Sequence, residues 1–301
     1  MSKTLTIRYT SDTHGYLYPT SYADMQDRPM GLMKLASEYP HDGNTLIIDG
    51  GDTIQGSPLT NLYQRLSPEE KAACLTEDTY GTHPIAAMMN LAGYQFVTLG
   101  NHDFNYGVDA LLDYLTNLDA LCLCANIRDK EGRLPIAPYA VHQLENGLRI
   151  GLVGVCTHFV RRWENPKTVE QLVIEEPVPA AKAALEAVKP LCDLTVLIYH
   201  GGFECDLETG KPLTASAENQ ACRMCRELDF DLVLTGHQHM RVDGVHFGNS
   251  FAVQPAYRAP HCCGVTVTVE DDGSKRFESR IIPADGRPLE SAYNLLMPLE
   301  K

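Results

Sequence analysis

Several features are scarce or absent in this sequence, and each scarcity excludes a class of protein. The 301 residues include one Trp and 10 Cys, and this Cys content is well below the ~8–10% of a disulfide scaffold. No run approaches the ~18 consecutive apolar residues of a membrane-spanning helix. Basic residues are outnumbered, with 25 Lys and Arg against 39 Asp and Glu and a net charge of −14. Because no basic cluster is present, we expect no binding to a nucleic-acid polymer.

The N-terminus also lacks the apolar core of a signal peptide, since its first eight residues lead directly into a strand pattern. Cys222 and Cys225 form a CxxC pair without a second pair, inside a helix predicted over Ala217–Leu228. This placement favours a buried helix face over a zinc ribbon. We therefore expect a reducing cytoplasm by default. A chain from which an export signal had been removed would look the same and would belong to the periplasm or the exterior.

What the sequence does contain is typical of a globular domain. Apolar residues make up 44% and charged residues 21%, and the length allows one large domain or two small ones. Predicted strands and helices alternate up to about residue 243, and short alternating strands follow over 244–283. Two packed sheets with helices outside fit this order better than one parallel sheet. We predict one catalytic domain over 1–284, with 285–301 forming a helical tail or the start of a linker.

The stretch Thr98–Gly107 has the densest group of polar side chains next to a predicted strand. Gln95–Leu99 is β-branched and aromatic and predicts a strand. Asn101, His102 and Asp103 follow it at once, and such side chains bind metals or handle protons. The carboxyl ends of strands are where open α/β sheets place their sites. Taken alone, the stretch is equally well explained as a polar loop that turns the chain.

The same residue types follow five predicted strands. They are Asp12 and His14 after Leu5–Tyr9, Asp52 after Thr45–Ile48, Asn101 to Asp103 after Gln95–Leu99, His200 after Leu194–Tyr199, and His237 and His239 after Leu232–Leu234. Five of the 11 His belong to this set. A single such His is more often a structural residue than a ligand, but the joint pattern favours one common site.

The residue types indicate a particular chemistry. His nitrogens with Asp oxygens suit Zn²⁺, Mn²⁺ or Fe²⁺, whereas Ca²⁺ prefers oxygens alone. The candidates are too many for one tetrahedral site, so we expect two divalent ions about 3.5–4 Å apart, bridged by a carboxylate. A hydroxide held between two such ions would be able to attack phosphorus at neutral pH, because metal binding lowers the pKa of water towards ~7. Two such ions outweigh the charges of Asp12 and Asp52, so an acidic chain is still able to bind a phosphate ester.

In their order along the chain, these motifs resemble the calcineurin-like metallophosphoesterase superfamily. The motifs are Asp-x-His, Gly-Asp, Gly-Asn-His-Asp, His and Gly-His-x-His, and the resemblance spans roughly residues 5–283. Within the superfamily the chain resembles the 5′-nucleotidase branch. Gly51–Pro58, Gly100–Gly107 and Gly236–His239 are most similar to the bacterial 2′,3′-cyclic-nucleotide 2′-phosphodiesterase/3′-nucleotidase subgroup. The resemblance implies an α/β fold, a four-layer αββα sandwich of two mixed β-sheets flanked by helices, with the site at their edge.

The resemblance also implies roles for individual residues. One ion would be held by Asp12, His14 and His239, and the other by Asn101, His200 and His237, with Asp52 bridging the two. Asn101 and His102 would contact the substrate. His102 would stabilise the transition state at the phosphate and protonate the leaving group.

The position three residues after His102 departs from the 5′-nucleotidase pattern, Gly-Asn-His-Glu-Phe-Asp. Here it is Asn105, which fits the cyclic-phosphodiesterase subgroup. An amide orients His102 by accepting its N–H, but it does not favour the imidazolium as a carboxylate does. We include Asn105 among the catalytic residues, and we expect Asn105→Asp to shift the pH–rate profile.

Relatives that hydrolyse nucleotides usually carry a further C-terminal domain that stacks the base between aromatic rings, and this sequence stops where that domain would begin. Trp163, after the predicted strand Leu148–Val155, is a weak candidate for contact with a base; a packed loop aromatic explains it at least as well. Glu218 and Asn219 also resemble a family feature, and we interpret them as a helix start.

Three functions remain open at this point. The first is hydrolysis of phosphoester bonds in nucleotides, of the cyclic-nucleotide phosphodiesterase/3′-nucleotidase or the 5′-nucleotidase type. The second is a metallophosphatase or pyrophosphatase for another small ester. The third is a metal-binding module that has lost catalysis. In every case the expected cofactors are two divalent ions (Mn, Zn or Fe), and the expected partner is a small phosphoester.

Overall fold

Two large mixed β-sheets form the centre of the computed structural model, which describes residues 2–74, 83–289 and 292. In the order of the chain the strands are β1 (Lys3–Thr10), β2 (Thr20–Ser21), β3 (Gln26–Asp27), β4 (Thr45–Asp49), β5 (Phe96–Val97), β6 (Leu121–Leu123), β7 (Ile127–Asp129), β8 (Ile136–Ala137), β9 (Tyr139–Gln143), β10 (Arg149–Cys156), β11 (Leu172–Ile174), β12 (Leu194–His200), β13 (Leu232–Thr235), β14 (Val242–Phe247), β15 (Ser250–Gln254), β16 (His261–Val269) and β17 (Lys275–Pro283). The first sheet has the order β17-β16-β1-β4-β5-β6-β8, and the second has the order β14-β15-β13-β12-β10-β9.

Nine α-helices lie in the described ranges. They are α1 (Leu32–Ala36), α2 (Pro58–Arg65), α3 (Pro68–Cys74), α4 (Pro84–Leu91), α5 (Val108–Thr116), α6 (Val160–Trp163), α7 (Pro166–Val169), α8 (Pro177–Val188) and α9 (Ala221–Glu227). Five of them begin with Pro after a polar residue, at a position where the backbone N–H would have no partner within the helix. None of the helices described has both the length and the apolar character needed to cross a membrane.

Three apolar layers hold the elements together. The middle layer lies between the sheets and includes Ile7, Val265 and Ile198. A second layer packs α1, α4 and α5 on the outside of the first sheet, and a third packs α8 and α9 on the outside of the second. This is the four-layer αββα sandwich expected from the resemblance, and the prediction is confirmed.

The central strands of the second sheet are covered on both faces. β12 (LTVLIYH) is buried along its whole length and pairs in parallel with β10 and β13. Such strands appear in a sequence as continuous apolar runs rather than alternating ones. That is why the run Leu194–Tyr199 predicted this strand almost to the residue.

Some predicted boundaries were wrong. The helix predicted over Ala217–Leu228 begins only at Ala221, because 217–220 form a loop against the site. The strand predicted over Gln95–Leu99 is reduced to Phe96–Val97. The predicted tail, 285–301, falls largely outside the described residues, so the proposed boundary at 284 stays a prediction.

The topology brings the ends of five strands to one edge. β1, β4 and β5 are parallel neighbours in the first sheet, and β12 and β13 are parallel neighbours in the second. The two sheets are joined directly at this edge, since the His200 ring nitrogen Nδ1 lies 2.7 Å from the Gly50 carbonyl oxygen. The loops after these strands therefore converge.

Candidate active site

Six of the seven predicted ligands form two adjacent clusters. Asp12, His14 and His239 form one, and Asp52, His200 and His237 the other; within each, the possible ligand atoms lie within 4.8 Å of one another. The two clusters approach each other at Asp52, whose Oδ2 lies 3.2 Å from His200 Nε2 and 4.0 Å from His14 Nε2. This is the position that a bridging carboxylate requires.

Asn101, the seventh predicted ligand, lies at the same place. It opens a 3₁₀ turn, Asn101–Phe104, directly after β5. The backbone N–H of His102, the next residue, donates to Asp52 Oδ1 at 2.7 Å, which brings Asn101 beside the second cluster. The Asn101 Oδ1 atom is buried and has no hydrogen-bond partner.

The backbone at the site is strained. In the described part of the chain, eight residues other than Gly have a positive φ, and five of them are predicted ligands. Those five are Asp12, His14, Asp52, His237 and His239. A positive φ is unfavourable for residues with a Cβ, and it persists where the surroundings impose it, most often at functional sites. Backbone hydrogen bonds impose it here, including His14 N–H to the Asp52 carbonyl at 2.9 Å.

Two of the histidines are fixed with one nitrogen turned into the site. His14 Nδ1 lies 2.8 Å from the Gln55 carbonyl oxygen and His200 Nδ1 lies 2.7 Å from that of Gly50. A carbonyl only accepts, so each Nδ1 carries a proton and each Nε2 is the nitrogen that faces the site. This arrangement is how proteins prepare histidines for metal binding.

The donor set fits the divalent ions that the family normally uses. Asn101 Oδ1 is buried without a hydrogen-bond partner, and the buried atoms Asp52 Oδ2 and His200 Nε2 lie 3.2 Å apart and have no other partner. Buried polar groups with too few partners are costly. Burial lowers the pKa of His200, but the charge of Asp52 outweighs this effect and raises the pKa to about 10. The same negative potential attracts a divalent cation, and mixed nitrogen and oxygen donors suit Zn²⁺, Mn²⁺ or Fe²⁺.

Asp103, one of the three polar residues of the central stretch, has a structural role. Its two carboxylate oxygens accept backbone N–H groups from Asp52, Thr53, Ile54 and Gly100 at 2.8–3.0 Å. These bonds clamp the loop after β4 to the turn after β5. Asp103 is thus committed to the loops and is not available for a metal or a substrate, contrary to the first interpretation.

A chain of hydrogen bonds fixes the orientation of the His102 ring. Its Nδ1 lies 2.8 Å from Asn105 Oδ1, as expected, so the amide accepts the ring N–H. The amide nitrogen of Asn105 in turn donates to Glu164 Oε1. Glu164 is largely buried, and burial raises the pKa of its carboxyl although Asn105 acts in the opposite direction. The Glu164 carboxyl therefore supports the Asn105 amide, which in turn orients His102. This contact was not predicted from the sequence, because Glu164 lies 59 residues from Asn105.

Glu218 contacts the second cluster. Its Oε1 lies 2.8 Å from His237 Nε2, which leaves Nδ1 as the nitrogen free to bind a metal. The predicted helix-start role was wrong, because α9 begins three residues later. Asn219 instead accepts the Gly202 N–H at 2.7 Å and fixes the loop. The resemblance of Glu218 and Asn219 to a family feature was the signal available in the sequence.

Two aromatic rings border the clusters. Trp163 stacks on His237 with ring centroids 5.5 Å apart, and it is 45% exposed. Tyr257, which the sequence did not single out, stacks on His239 with centroids 4.3 Å apart and is 38% exposed. A cavity of about 300 Å³ lies between Trp163, His102 and Glu218. Trp163 is therefore not a fully packed loop aromatic, and one face of the cavity is aromatic.

The cysteine pair of α9 has a partner outside the helix. Cys222 and Cys225 are both buried, as predicted, but Cys222 forms a disulfide with Cys205. The sequence analysis did not predict this bond, because nothing in the spacing of 17 residues distinguishes the pair. The disulfide closes the segment that carries Glu218.

The remaining histidines stay apart from the clusters. His41, His83, His142, His158, His246 and His261 were set aside because they do not follow the strand ends, and none belongs to a metal-binding group among the described residues. His83 shows the usual alternative, since its Nδ1 accepts the Ile85 N–H and caps α4.

Residues 5–241 match the family described as Calcineurin-like phosphoesterase. The match covers most of the chain, so the chain belongs to this family, as the resemblance of its motifs implied.

The relatives within the family bear names of nucleotide-hydrolysing enzymes. The chain is 27% identical over 250 residues to the "Trifunctional nucleotide phosphoesterase protein YfkN" of Bacillus subtilis, covering 78% of this chain and 16% of the relative. It is 25% identical over 316 residues to a "2′,3′-cyclic-nucleotide 2′-phosphodiesterase/3′-nucleotidase" of Salmonella typhimurium, covering 96% and 46%. The crystal structure of a putative 5′-nucleotidase from Staphylococcus aureus is similar with a TM-score of 0.84 and 28% identity, covering 99% of this chain and 58% of that one. The chain spans less than half the length of the Bacillus subtilis and Salmonella typhimurium relatives.

Proposed function

We propose that this chain is the catalytic domain of a metal-dependent phosphoric ester hydrolase that acts on nucleotides. The reaction we favour is that of a 2′,3′-cyclic-nucleotide phosphodiesterase/3′-nucleotidase or of a 5′-nucleotidase. The observation that carries the proposal is the pair of adjacent ligand clusters that meet at Asp52. Family membership and the names of the relatives support the phosphoester as the substrate.

The ligands are assigned by their place in the two clusters. Asp12, His14 and His239 would hold one divalent ion, Asn101, His200 and His237 would hold the other, and Asp52 would contact both. When bound, such ions lower the pKa of water and so supply a nucleophile at neutral pH, and they neutralise charge on the phosphate. A second set of contacts orients the ligands. Glu218 contacts His237, and backbone carbonyls contact His14 and His200.

We infer that His102 acts on the substrate rather than on a metal. Its ring borders the cavity, lies 5.4 Å from the His14 ring between centroids, and has its Nδ1 committed to Asn105. Its Nε2 is therefore the nitrogen that reaches the phosphate. There it stabilises developing charge and gives a proton to the leaving oxygen. Asn101, on the same cavity, contributes its amide to the phosphate.

Trp163 supplies an apolar surface for the rest of the substrate. It is nearly half exposed at the mouth of the cavity, and base–aromatic stacking contributes roughly 1–3 kcal/mol per base. A nucleobase stacked there explains the exposure of this ring. The alternative substrate, a small ester without a base, would not use it.

The disulfide bears on the compartment. Disulfides persist in oxidising environments and are rare in the cytosol. The Cys205–Cys222 bond therefore favours the periplasm or the exterior over the cytoplasm expected by default.

A substrate panel with metal-reconstituted protein tests the proposed reaction. The panel compares bis(p-nitrophenyl) phosphate, 2′,3′-cyclic AMP, 3′-AMP, 5′-AMP and pyrophosphate, with Asp52→Asn and His102→Asn as inactive controls. We expect turnover of at least one nucleotide and a loss of 10²-fold or more in each variant. Turnover of pyrophosphate or a simple ester alone would favour the second function. Metal binding without any hydrolysis would favour the metal-binding module.

A further inference from the structure

A second cavity, of about 420 Å³, lies on the outer face of the first sheet. Its floor is made by β1, β4, β16 and β17, on the side opposite to Ile7 and Val265, which face the core between the sheets. In the strand register, Arg8 lies opposite Gly264, and Gly264 lies opposite Arg280. Two arginines therefore flank a glycine in one row. We call this cavity the arginine groove, and it shares no lining residue with the candidate active site.

Arg8 is the unusual residue of the groove. It is 8% exposed, and its Nε is buried without a hydrogen-bond partner. Its hydrogen bond is a long one, from Nη1 to the Ile7 carbonyl oxygen at 3.5 Å. Among residues 2–74 and 83–289, no carboxylate oxygen lies within 4.0 Å of a guanidinium nitrogen of Arg8, the distance that defines an ion pair. A buried cation without a partner is costly, so a counter-charge is expected at this place.

The second cation makes the need for a counter-charge greater. Burial lowers the pKa of Arg8, and the positive charge of Arg280 acts in the same direction. Arg280 is exposed, and it too has no ion pair within the described ranges. One anion between the two guanidinium groups would stabilise both of them.

Gly264 lets neighbouring side chains approach the backbone closely between the two arginines. A Cβ at this position would lie 2.6 Å from Ile282 Cδ1 and 3.3 Å from Arg8 Nη1. Any side chain would therefore collide with Ile282 and press on the Arg8 guanidinium. The backbone here has no positive φ, so the glycine is explained by space rather than by conformation.

Hydroxyl groups complete the lining. Thr45, Thr6 and Thr266 occupy the next row of the same face, and Thr45 Oγ1 is buried without a hydrogen-bond partner. Guanidinium and hydroxyl donors around a small polar space are the groups that recognise tetrahedral oxyanions. We propose that the arginine groove is a binding site for a phosphate-type oxyanion, either free phosphate or the phosphate group of a larger molecule.

Two carboxylates also line the groove and limit its charge. Asp42 accepts the Asn44 N–H at 2.9 Å, and Glu278 lies 3.7 Å from Arg276. Because Glu278 is paired with Arg276, Asp42 is the one lining acid that acts against Arg8 and Arg280, and the single positive charge that remains suits one small anion rather than a polyanion. The site is therefore distinct in kind from a nucleic-acid surface.

Calorimetric titration of the metal-reconstituted chain with inorganic phosphate tests this site. We compare wild type with Arg8→Met and with Arg280→Met, and use Arg128→Met, at an exposed arginine of β7 outside the groove, as the matched control. The wild type and the control should bind one more equivalent of phosphate than Arg8→Met does. Arg280→Met should weaken that equivalent at least tenfold. Hydrolytic activity should stay unchanged in all four proteins, which also shows that the variants fold.

The comparison is independent of the proposed reaction. The expected result is a difference of one bound phosphate per chain between wild type and Arg8→Met, whether or not phosphate also binds at the metal site. Equal stoichiometry and affinity in wild type, Arg8→Met and Arg280→Met would overturn the proposal. A second arm uses phenylphosphonate, which is not hydrolysed. Binding that depends on Arg8 in this arm would support a phosphate group carried by a larger molecule, and binding of phosphate alone would support the free ion.

Discussion

At the scale of single residues, five of the seven predicted ligands have unfavourable backbone conformations, and neighbouring residues hold them there. Asp12, Asp52 and His237 have positive φ angles that no composition or periodicity would indicate. Asp103 fixes two of the loops through four backbone hydrogen bonds. The ligand residue types were visible in the sequence, whereas the residues that position them were not.

The hydrogen-bond chain from His102 through Asn105 to Glu164 gives a residue-scale prediction. Glu164→Ala removes the acceptor of the Asn105 amide, so that the amide and the ring of His102 lose their fixed orientation. A hydrogen bond of this kind contributes about 1–1.5 kcal/mol, so we expect kcat to fall about tenfold with a smaller change in KM. Steady-state kinetics on the best substrate of the panel measures both.

The matched variants separate orientation from charge. Glu164→Gln keeps an oxygen acceptor and should retain most of the activity, and Glu170→Ala, an exposed acid on the same segment, should be neutral. An unchanged kcat in Glu164→Ala would contradict the positioning role. A fall in Glu164→Gln as large as in Glu164→Ala would show that the charge, and not the hydrogen bond, matters.

A buried carboxyl at the end of β4 predicts how stability depends on pH. Burial raises the pKa of Asp49 to about 7, although Thr10, Thr53 and the Gly51 N–H donate hydrogen bonds to it. The pKa in the unfolded chain is about 3.9, so between these values the folded state binds the extra proton. The contribution of Asp49 to the free energy of unfolding therefore falls as pH rises from about 4 to 7.

Asp49→Asn removes this titration. Between pH 5 and pH 8 we expect the wild type to lose roughly 2–4 kcal/mol more in free energy of unfolding than the variant does. Urea unfolding at the two pH values measures the difference, with Asp119→Asn, an exposed acid, as the control. Parallel losses in wild type and Asp49→Asn would contradict the raised pKa.

At the scale of elements, the loop before α9 depends on its disulfide. Cys205 and Cys222 close a segment of 17 residues that contains Glu218. Replacing both by Ala should lower the free energy of unfolding by about 3 kcal/mol, because the unfolded chain gains conformational entropy when the loop is no longer closed. Denaturant unfolding measures the loss, and Cys192→Ala, a half-buried free thiol, should cost far less. Complete alkylation of all cysteines in the absence of a reductant would show that the bond is not formed.

The elements themselves were predictable to different degrees. Buried strands such as β12 were found because parallel strands covered on both faces are continuous apolar runs. The short strand β5 and the start of α9 were placed wrongly, because loops that pack against the site override local propensity there. The pairing of Cys205 with Cys222 and the contact of Glu164 with Asn105 depend on tertiary structure alone, so the sequence carried no signal for them.

At the scale of the whole molecule, the two sheets bring together residues from Asp12 to His239. The sandwich architecture was predictable from the order of the motifs, because that order resembles a family with one fold. The arginine groove was not, since Arg8, Gly264 and Arg280 become neighbours only through the antiparallel pairing of β1 with β16 and of β16 with β17. The tail or linker start expected over 285–301 stays a prediction, because most of this stretch lies outside the described residues.

The central claim is that seven side chains hold two divalent ions, with Asp52 contacting both. Metal content per chain, measured by plasma mass spectrometry after reconstitution with Mn²⁺ or Zn²⁺ and removal of free ions, tests it most directly. We predict about two ions per chain in the wild type and fewer than one in Asp52→Asn, with His41→Asn, a histidine outside the clusters, unchanged. A wild type that retains no ion, or an Asp52→Asn variant that retains as many ions as the wild type, would contradict the claim.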